Sequence, residues 1–269
     1  MYLRWIPPRA SLIALLIVLT LDGCATVSGG RDDAQNDPLE PLNRRVFAFD
    51  LALDRAVIKP VAEAYRSALP EFVRDRVRAV IDNLHEPLVL ANDVLQGRGG
   101  AAVISGRRFL INSTLGLGGL FDRATEFGLA RQSGDFGQTL YAWGLPDGAY
   151  LVLPFFGPSN FRDAVGLGVD MYTSPVSHVG SPRTRREVGL AMGATDGIDL
   201  RSRNIETLAE LEASSLDFYA YLRSVSRQYR RATLQEARGG MPEEELTDPG
   251  PGVSKPDDAK PASSKAVPP

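Results

Sequence analysis

Residues 136–166, which read FGQTLYAWGLPDGAYLVLPFFGPSNFRDAVG, interrupt a sequence pattern that is otherwise helical. The stretch GLPDG at residues 144–148 is rich in turn formers. The run from Tyr150 to Phe156 is apolar throughout, and a Gly-Pro pair closes it. Because proline cannot donate to a sheet ladder, Pro154 argues against a central strand. We therefore expect a short, non-helical, hairpin-like segment that either lies extended in the core or sits in lipid.

The sequence on both sides of this segment predicts helices. Residues 39–57 mix apolar and charged side chains at helical spacing, with Asp37 as a candidate N-cap. Pro60 and Pro70 are expected to restart helices, because proline is tolerated only near a helix start. Residues 37–238 are therefore predicted to form a single all-α domain.

Residues 100–115 predict a helix with two different faces. Val103 and Leu110 lie seven positions apart and mark an apolar side. Arg107 and Arg108 are expected on the other side.

A second two-faced helix is predicted from about Asn204 to Arg238. Its apolar stripe follows a 3,4 spacing through Leu208, Leu211, Ser215, Phe218, Leu222, Val225 and Tyr229. The basic residues that lie off this stripe are Arg223, Arg227, Arg230 and Arg231. We interpret the stripe as a seam packed against neighbouring helices. A basic helix that faces a membrane is the alternative.

The N-terminal residues predict export. Arg4 and Arg9 precede an apolar run from Leu12 to Leu21. This run is about ten residues long, whereas a membrane-spanning helix needs about twenty. Residues 1–23 are therefore interpreted as a signal peptide.

The apolar run ends at the sequence LDGC, in which Cys24 is the only cysteine of the chain. This context resembles a bacterial lipobox, whose cysteine is acylated and becomes the first residue of the mature protein. Asp22 departs from the usual lipobox pattern of apolar or small residues. Ala25 is permissive for sorting to the outer membrane. The alternative is a lone buried cysteine.

Two segments outside the predicted domain lack an apolar pattern. Residues 24–36 are small, polar and charged, and they read as a lipidated tether. Residues 239–269 are dominated by Pro, Gly, Ser and charged side chains, which predicts a disordered tail. The formal net charge is −3, and most of the acidic excess lies in this tail. The nearly neutral body lacks the basic footprint of a nucleic-acid-binding protein.

The sequence contains no arrangement that favours catalysis or metal binding. Ser159 lies in GPSNF, which lacks the last glycine of a serine-hydrolase elbow. His85 and His178 have no partner at ligand spacing. Asp196 and Asp199 are three residues apart, but nearby glycines favour a loose, solvated surface. We expect no enzymatic activity, no metal and no cofactor.

Three blocks of sequence resemble the MlaA/VacJ family. They follow the lipobox in order and read DPLEPLNR at residues 37–44, RRFLINSTLGLGGLFDRA at residues 107–124, and the 136–166 block quoted above. Together they reach across the chain to about residue 180.

The resemblance implies an all-helical, ring-like body in the periplasmic leaflet of the outer membrane, with an amphipathic channel through the ring. Phospholipids that have strayed into the outer leaflet would pass through this channel to a soluble periplasmic carrier, so that lipid asymmetry is maintained. The family also implies trimeric porins as membrane partners. A membrane-anchored lipid hydrolase and a structural envelope lipoprotein are the alternative functions.

The same blocks supply candidate residues for lining the channel, contacting lipid or gating. They are Asp37, Asn43, Phe47, Asn112, Gly116, Gly119, Tyr150, Leu153, Pro154, Phe155, Phe156 and Arg162. The segment from Tyr150 to Phe156 is the strongest candidate for forming or lining the channel. Arg162 is expected either to contact a headgroup or to pair with Asp163 or other surface groups. The glycines of residues 115–120, which include Gly116 and Gly119, are expected to permit close helix approach or a sharp turn, and the alternative is an ordinary helix end at Gly116.

Overall fold

The computed structural model describes residues 37–237, and side chains are described as far as Gln235. The predicted signal peptide, Cys24, the tether and the predicted tail lie outside the described residues.

About three quarters of the described residues are helical, and the all-α prediction with its hairpin-like segment is confirmed. The helices are α1 (Glu40–Leu53), α2 (Lys59–Ala68), α3 (Glu71–Leu95), α4 (Gly99–Thr114), α5 (Arg123–Glu126), α6 (Phe136–Ala142), α7 (Phe161–Thr173), α8 (Pro182–Arg203), α9 (Ile205–Ser214) and α10 (Phe218–Ala237). A 3₁₀ turn, Pro175–His178, precedes α8. Within residues 37–237, no helix is both long enough and apolar enough to cross a bilayer.

The two prolines that were expected to restart helices behave differently. Pro70 is the N-cap of α3, as predicted. Pro60 lies in the first turn of α2, but the chain enters α2 from α1 through a π-helical turn at Asp54–Ile58. The helical path is therefore continuous at Pro60. α3 also accommodates Pro87 within its length.

The 136–166 block forms the expected hairpin. Strands β1 (Tyr150–Leu153) and β2 (Gly157–Asn160) pair antiparallel, with Tyr150 opposite Asn160 and Leu153 opposite Gly157. Pro154 lies in the connecting turn, where it removes no ladder hydrogen bond. Tyr150 and Val152 are buried, whereas Phe155 and Phe156 at the tip are exposed. The interpretation that the segment lies extended in the core is thus wrong for its tip.

Polar side chains fill much of the interior. The largest fully buried side chains of the described residues are those of Arg108, Gln138, Glu86, Asn43, Asn92, Thr139, Asp93, Asp199, Ser105 and Ser202. Many large apolar side chains are exposed instead, including Leu110, Leu115, Leu117, Phe127, Phe155, Phe156, Phe161, Tyr172, Val179 and Leu190. Buried polar side chains that outnumber the buried apolar ones, as they do among the described residues, are unusual for a domain whose surface contacts only water.

Helix α4 illustrates this distribution. Val103 and Leu110, the predicted apolar side, are 54% and 63% exposed. Ser105, Arg108 and Asn112 point inward and are buried. Arg108 therefore lies on the side opposite Val103 and Leu110, as predicted, but Arg107 is exposed on the same side as they are, so the prediction is wrong for Arg107. Arg108 has a partner in the interior, the carboxylate of Glu86.

The predicted helix from Asn204 to Arg238 is two helices, because the chain is extended at Ser215 before α10 begins. Phe218 packs against Phe47, with ring centroids 5.7 Å apart. Val225 and Tyr229 are exposed, Tyr229 by 72%. The packed-seam interpretation therefore fails for the second half of α10.

The inner face of α10 carries Tyr219, Arg223, Arg230 and Leu234. Tyr219 joins the small apolar core of Tyr150 and Val152, against which Val46 and Phe47 pack. The hairpin, α1 and α10 therefore meet at this core.

Candidate functional site

Asn43 fastens the hairpin to the first helix. Its amide nitrogen donates to the carbonyl oxygen of Tyr150 at 3.0 Å, and its side-chain oxygen accepts from the backbone N–H of Val152 at 2.9 Å. The same nitrogen donates to Asp37 at 2.8 Å. Because Asn43 is buried, these bonds have no competition from water, and they fix where β1 lies on α1.

Asp37 is not the N-cap that the sequence predicted. Leu39 occupies the N-cap of α1, and no side chain caps this helix. The carboxylate of Asp37 instead accepts from the hydroxyl of Tyr219 and, at 2.9 Å, from Arg223. It therefore links the start of α1 to α10.

Replacing Asn43 with alanine is expected to lower the free energy of unfolding by about 2–3 kcal/mol. The substitution leaves a buried N–H and a buried carbonyl of β1 without their partner, and each such loss costs about 1–3 kcal/mol. Denaturant unfolding in mild detergent measures the change. Arg45→Ala, at an exposed position of the same helix, is the matched control. A loss of stability equal to that of the control would contradict the role of Asn43 in holding β1 on α1.

A cavity of about 400 Å³ lies beside the hairpin. Tyr150, Leu153 and Phe156 contribute apolar side chains to its wall. The charged lining residues are Asp135, Asp147, Asp163, Asp170, Arg227, Arg230 and Arg231. The cavity therefore offers an apolar wall and both signs of charge, which suits an amphipathic ligand.

Arg162 lies beside this cavity and is buried, not on the surface where sequence reasoning placed its pairing. Its guanidinium donates to Asp163 at 2.9 Å and also to Asp147. Asp163 also accepts from Arg230 at 2.8 Å. Burial raises the pKa of Asp163, but the hydrogen bonds and charges of Arg230 and Arg162 outweigh it and hold that pKa below its usual value. Asp163 is therefore a firmly held anion.

Asn112, Gly116 and Gly119 line neither this cavity nor the second one described below. Asn112 donates to Asp122 at 3.0 Å and accepts from the N–H of Ala124 at 2.9 Å, so it holds the loop after α4. A Cβ on Gly116 would lie 2.3 Å from a backbone oxygen of that loop.

Gly119 serves close approach between the loop and α3. Its φ is +94°, and a Cβ there would lie 2.6 Å from the Cβ of Asn83. Gly116 and Gly119 therefore both allow close packing, which was one of the predicted roles.

A second cavity, of about 460 Å³, is lined partly by residues 131–135 and by α3. His85 lines it from within α3. The Nδ1 atom of His178 lies 3.1 Å from the carbonyl oxygen of Ser174. In the described part of the chain, no group of three or more His, Cys, Asp or Glu side chains is placed to hold a metal.

Besides the pair of Arg108 and Glu86, sequence reasoning missed two other ionic centres. Asp199 was expected on a solvated surface, but it is buried and accepts from Arg78 at 2.9 Å and Arg203 at 3.0 Å. α8 is continuous through the glycines that suggested a loose helix. The second centre is Arg230, which donates hydrogen bonds to Asp135 and Asp163. The 4,3 spacing of Arg223, Arg227 and Arg230 was a signal of a shared helix face.

These features define an all-α protein that turns polar helix faces inward and apolar faces outward around an amphipathic cavity. The chain belongs to the MlaA lipoprotein family, whose sequence model matches residues 35–233.

Named relatives cover most of the chain. The intermembrane phospholipid transport system lipoprotein MlaA of Haemophilus influenzae is 30% identical over 250 residues, which cover 88% of this chain and 97% of the relative. The Escherichia coli protein of the same name is 33% identical over 211 residues, which cover 77% and 81%. A solved structure, from work on the structural basis for maintenance of bacterial outer membrane lipid asymmetry, has a TM-score of 0.66 and 30% identity and covers 74% of this chain and 100% of its own.

Proposed function

We propose that this chain is an outer-membrane lipoprotein that removes mislocalised phospholipid from the outer leaflet and so maintains lipid asymmetry. Family membership and the names of the relatives support intermembrane phospholipid transport. The observation that carries the proposal is the combination of many buried polar side chains, many exposed large apolar side chains and an amphipathic cavity beside the hairpin.

A phospholipid that changes leaflets must carry a charged headgroup past hydrocarbon, where unpaired charge is costly. Helices satisfy their own backbone hydrogen bonds, so their apolar faces can contact lipid. The inward polar faces then offer hydrogen bonds and charges to the headgroup. A helical ring with such an interior is a passive route, and the lipid gradient and the acceptor set the direction of flow.

The finer location and the partners follow from the same proposal. Acylated Cys24 anchors the body, and residues 24–36 tether it. The exposed apolar side chains rest in the periplasmic leaflet, where trimeric porins are membrane partners. A soluble periplasmic carrier of the same transport system receives the lipid.

We further infer transport rather than catalysis. Ser159 is a cavity-lining serine that a lipid hydrolase would place beside a base. Its hydroxyl instead lies 3.4 Å from the carbonyl oxygen of Asn160. Release of fatty acid from labelled phospholipid by the purified protein would favour the hydrolase. Crosslinking only to peptidoglycan-associated proteins would favour a structural lipoprotein.

Blocking the cavity is expected to abolish transport. Ser159→Trp places an indole in the cavity wall from an edge strand, whereas Ser214→Trp, at the exposed end of α9, is the matched control. A deletion strain should expose phospholipid in the outer leaflet and become sensitive to detergent. Ser214→Trp should restore the wild-type state, and Ser159→Trp should not.

Two outcomes would count against this function. Outer-leaflet phospholipid at the wild-type level in the deletion strain would contradict the transport function itself. Full complementation by Ser159→Trp, at equal protein level, would place the route elsewhere in the molecule.

Cys24→Ala is expected to release most of the protein from tight membrane attachment, because the acyl chains supply the anchor. The exposed apolar faces of the helices should retain a minor fraction. Fractionation of membranes in carbonate buffer measures both. Unchanged attachment and unchanged complementation would make the acyl anchor dispensable.

A further inference from the structure

The two cavities adjoin one another. Asp135 and Asp170 line both of them, so these carboxylates lie where one cavity meets the other. Asp170 is held in place, because its two oxygens accept from Asn92 at 3.2 Å and from the N–H of Phe136 at 2.9 Å. A ligand that moved between the cavities would therefore pass Asp135 and the group bound to it.

That group is the guanidinium of Arg230. It donates to the two oxygens of Asp135 at 2.6 and 2.8 Å and to the two oxygens of Asp163 at 2.8 and 2.8 Å. Burial lowers the pKa of Arg230, but the hydrogen bonds to the two carboxylates outweigh it and raise that pKa. Arg230 therefore lies beside the junction of the two cavities as a cation.

The two carboxylates are held to different degrees. Asp163 keeps Arg162 and Asn160 as donors if Arg230 moves, and its side chain is largely buried. Asp135 is the N-cap of α6, and its side chain is 40% exposed. The bond between Arg230 and Asp135 is therefore the one that a ligand entering the junction can replace.

We propose that Arg230 and Asp135 form a headgroup-binding site for phospholipids that carry a primary amine. The lipid phosphate accepts the hydrogen bonds that Arg230 otherwise donates to Asp135. The lipid ammonium then donates hydrogen bonds to the carboxylate of Asp135. The site rests on the proposed transport function and specifies its substrate class. The guanidinium fork matches two phosphate oxygens, and an ammonium donates hydrogen bonds to a carboxylate.

Other headgroups fit this junction less well. With a glycerol headgroup, the released Asp135 would face a phosphate without a cation of its own, and like charges at short range repel. A trimethylated ammonium carries charge but has no N–H to donate. The apolar wall of Tyr150, Leu153 and Phe156 lies on the same cavity and can receive the start of an acyl chain.

Competitive photo-crosslinking tests the site. The full-length lipoprotein is reconstituted in phosphatidylcholine vesicles that contain equal trace amounts of phosphatidylethanolamine and phosphatidylglycerol with a photoreactive group near the glycerol. Mass spectrometry counts the adducts on the hairpin and α10. Wild-type protein should prefer the ethanolamine lipid about tenfold, since one hydrogen bond to a charged group is enough for such a factor.

Asp135→Asn should bring the two lipids to about equal labelling. Asparagine keeps the N-cap acceptor and the side-chain size but removes the charge. Asp217→Asn is the matched control. Asp217 also accepts from an arginine, Arg44 at 2.7 Å, and from a backbone N–H at the start of a helix, but it lines neither cavity. This control should keep the wild-type preference.

The outcomes separate the two claims. If neither lipid labels the cavity in wild-type protein, the proposed transport route fails together with the site. If both lipids label it equally, or if Asp135→Asn keeps the preference, the headgroup site is overturned while transport stands. Thermal unfolding checks that the variants are folded. If Asp135→Asn is not folded, Asp135→Ser, which also caps a helix, takes its place under the same criteria.

Discussion

Replacing Arg108 with methionine is expected to lower the free energy of unfolding by about 3–5 kcal/mol, the cost of leaving one partner of a buried ion pair alone. Arg108 is 1% exposed, and its Nε lies 2.7 Å from Glu86. It also donates to Thr125 and, at 2.6 Å, to the carbonyl oxygen of Leu129. The substitution therefore removes the cation that balances Glu86 and three further bonds, to Asp122 at 3.1 Å, to Thr125 in α5 and to Leu129 just after α5.

Denaturant unfolding in detergent measures this loss. Arg107→Met, at the exposed neighbouring position, makes the same chemical change and should stay within about 0.5 kcal/mol of the wild type. Adding Glu86→Gln to Arg108→Met should recover part of the loss, because the double variant buries no charge there. Equal effects at positions 107 and 108 would mean that the buried pair does not hold α3 and α4 together.

The loss of stability in Arg108→Met should depend on pH. Burial raises the pKa of Glu86 above its usual value, and the bond from Arg108 lowers it only in part. An acid whose folded-state pKa exceeds its unfolded value stabilises the fold most when it is protonated, and that stabilisation fades as pH rises through the folded-state pKa. Without Arg108 the pKa of Glu86 rises further. The difference in free energy of unfolding between wild type and Arg108→Met should therefore become smaller as pH falls from neutral into the acidic range.

The local parts of the fold were predictable from the sequence because their causes are local. The hairpin was predicted from the turn formers at residues 144–148 and from Pro154, because proline is compatible only with a turn or an edge strand. Helical periodicity placed α1 and α4. The break before α10 was missed, because the 3,4 spacing continues through Ser215 while the backbone there is extended.

Which face of a helix points inward was not predictable from periodicity. The spacing separates apolar from polar residues, and the assignment of the apolar face to the interior assumes a surface in contact with water. Here Tyr229 is outside and Arg230 inside, because Arg230 meets carboxylates that lie 67 and 95 residues earlier in the chain. The sequence pattern alone does not place such distant partners together.

The candidate site divides in the same way. Tyr150, Leu153 and Phe156 reach one cavity because a single hairpin carries them. Asn112 became a candidate because it lies in the block at residues 107–124, but its side chain holds the loop after α4. A sequence motif does not show which of its residues are structural. Asp135 stands one residue before the 136–166 block, and its position at the junction of the two cavities depends on how α6, α7 and α10 pack.

Gly166→Ala is expected to lower the free energy of unfolding by more than about 3 kcal/mol, at or beyond the upper end of ordinary overpacking. A Cβ at Gly166 would lie 2.3 Å from the backbone nitrogen of Gly137 and 2.7 Å from its Cα. No side-chain rotation relieves a contact with backbone, so α6 and α7 must separate. Asp135, at the start of α6, would then move relative to Asp163 on α7.

Gly168→Ala, two residues further along α7, makes the same chemical change with the opposite expected sign. No atom lies within 4 Å of a Cβ at Gly168, which is exposed. Alanine there should stabilise the helix by about 0.5–1 kcal/mol, because it loses less backbone entropy on folding than glycine does. Thermal and denaturant unfolding of the two variants separate helix propensity from close approach. Similar effects of both substitutions would mean that α6 and α7 do not cross at Gly137 and Gly166. The junction of the two cavities, which needs that crossing to hold Asp135 near Arg230, would then be wrongly placed.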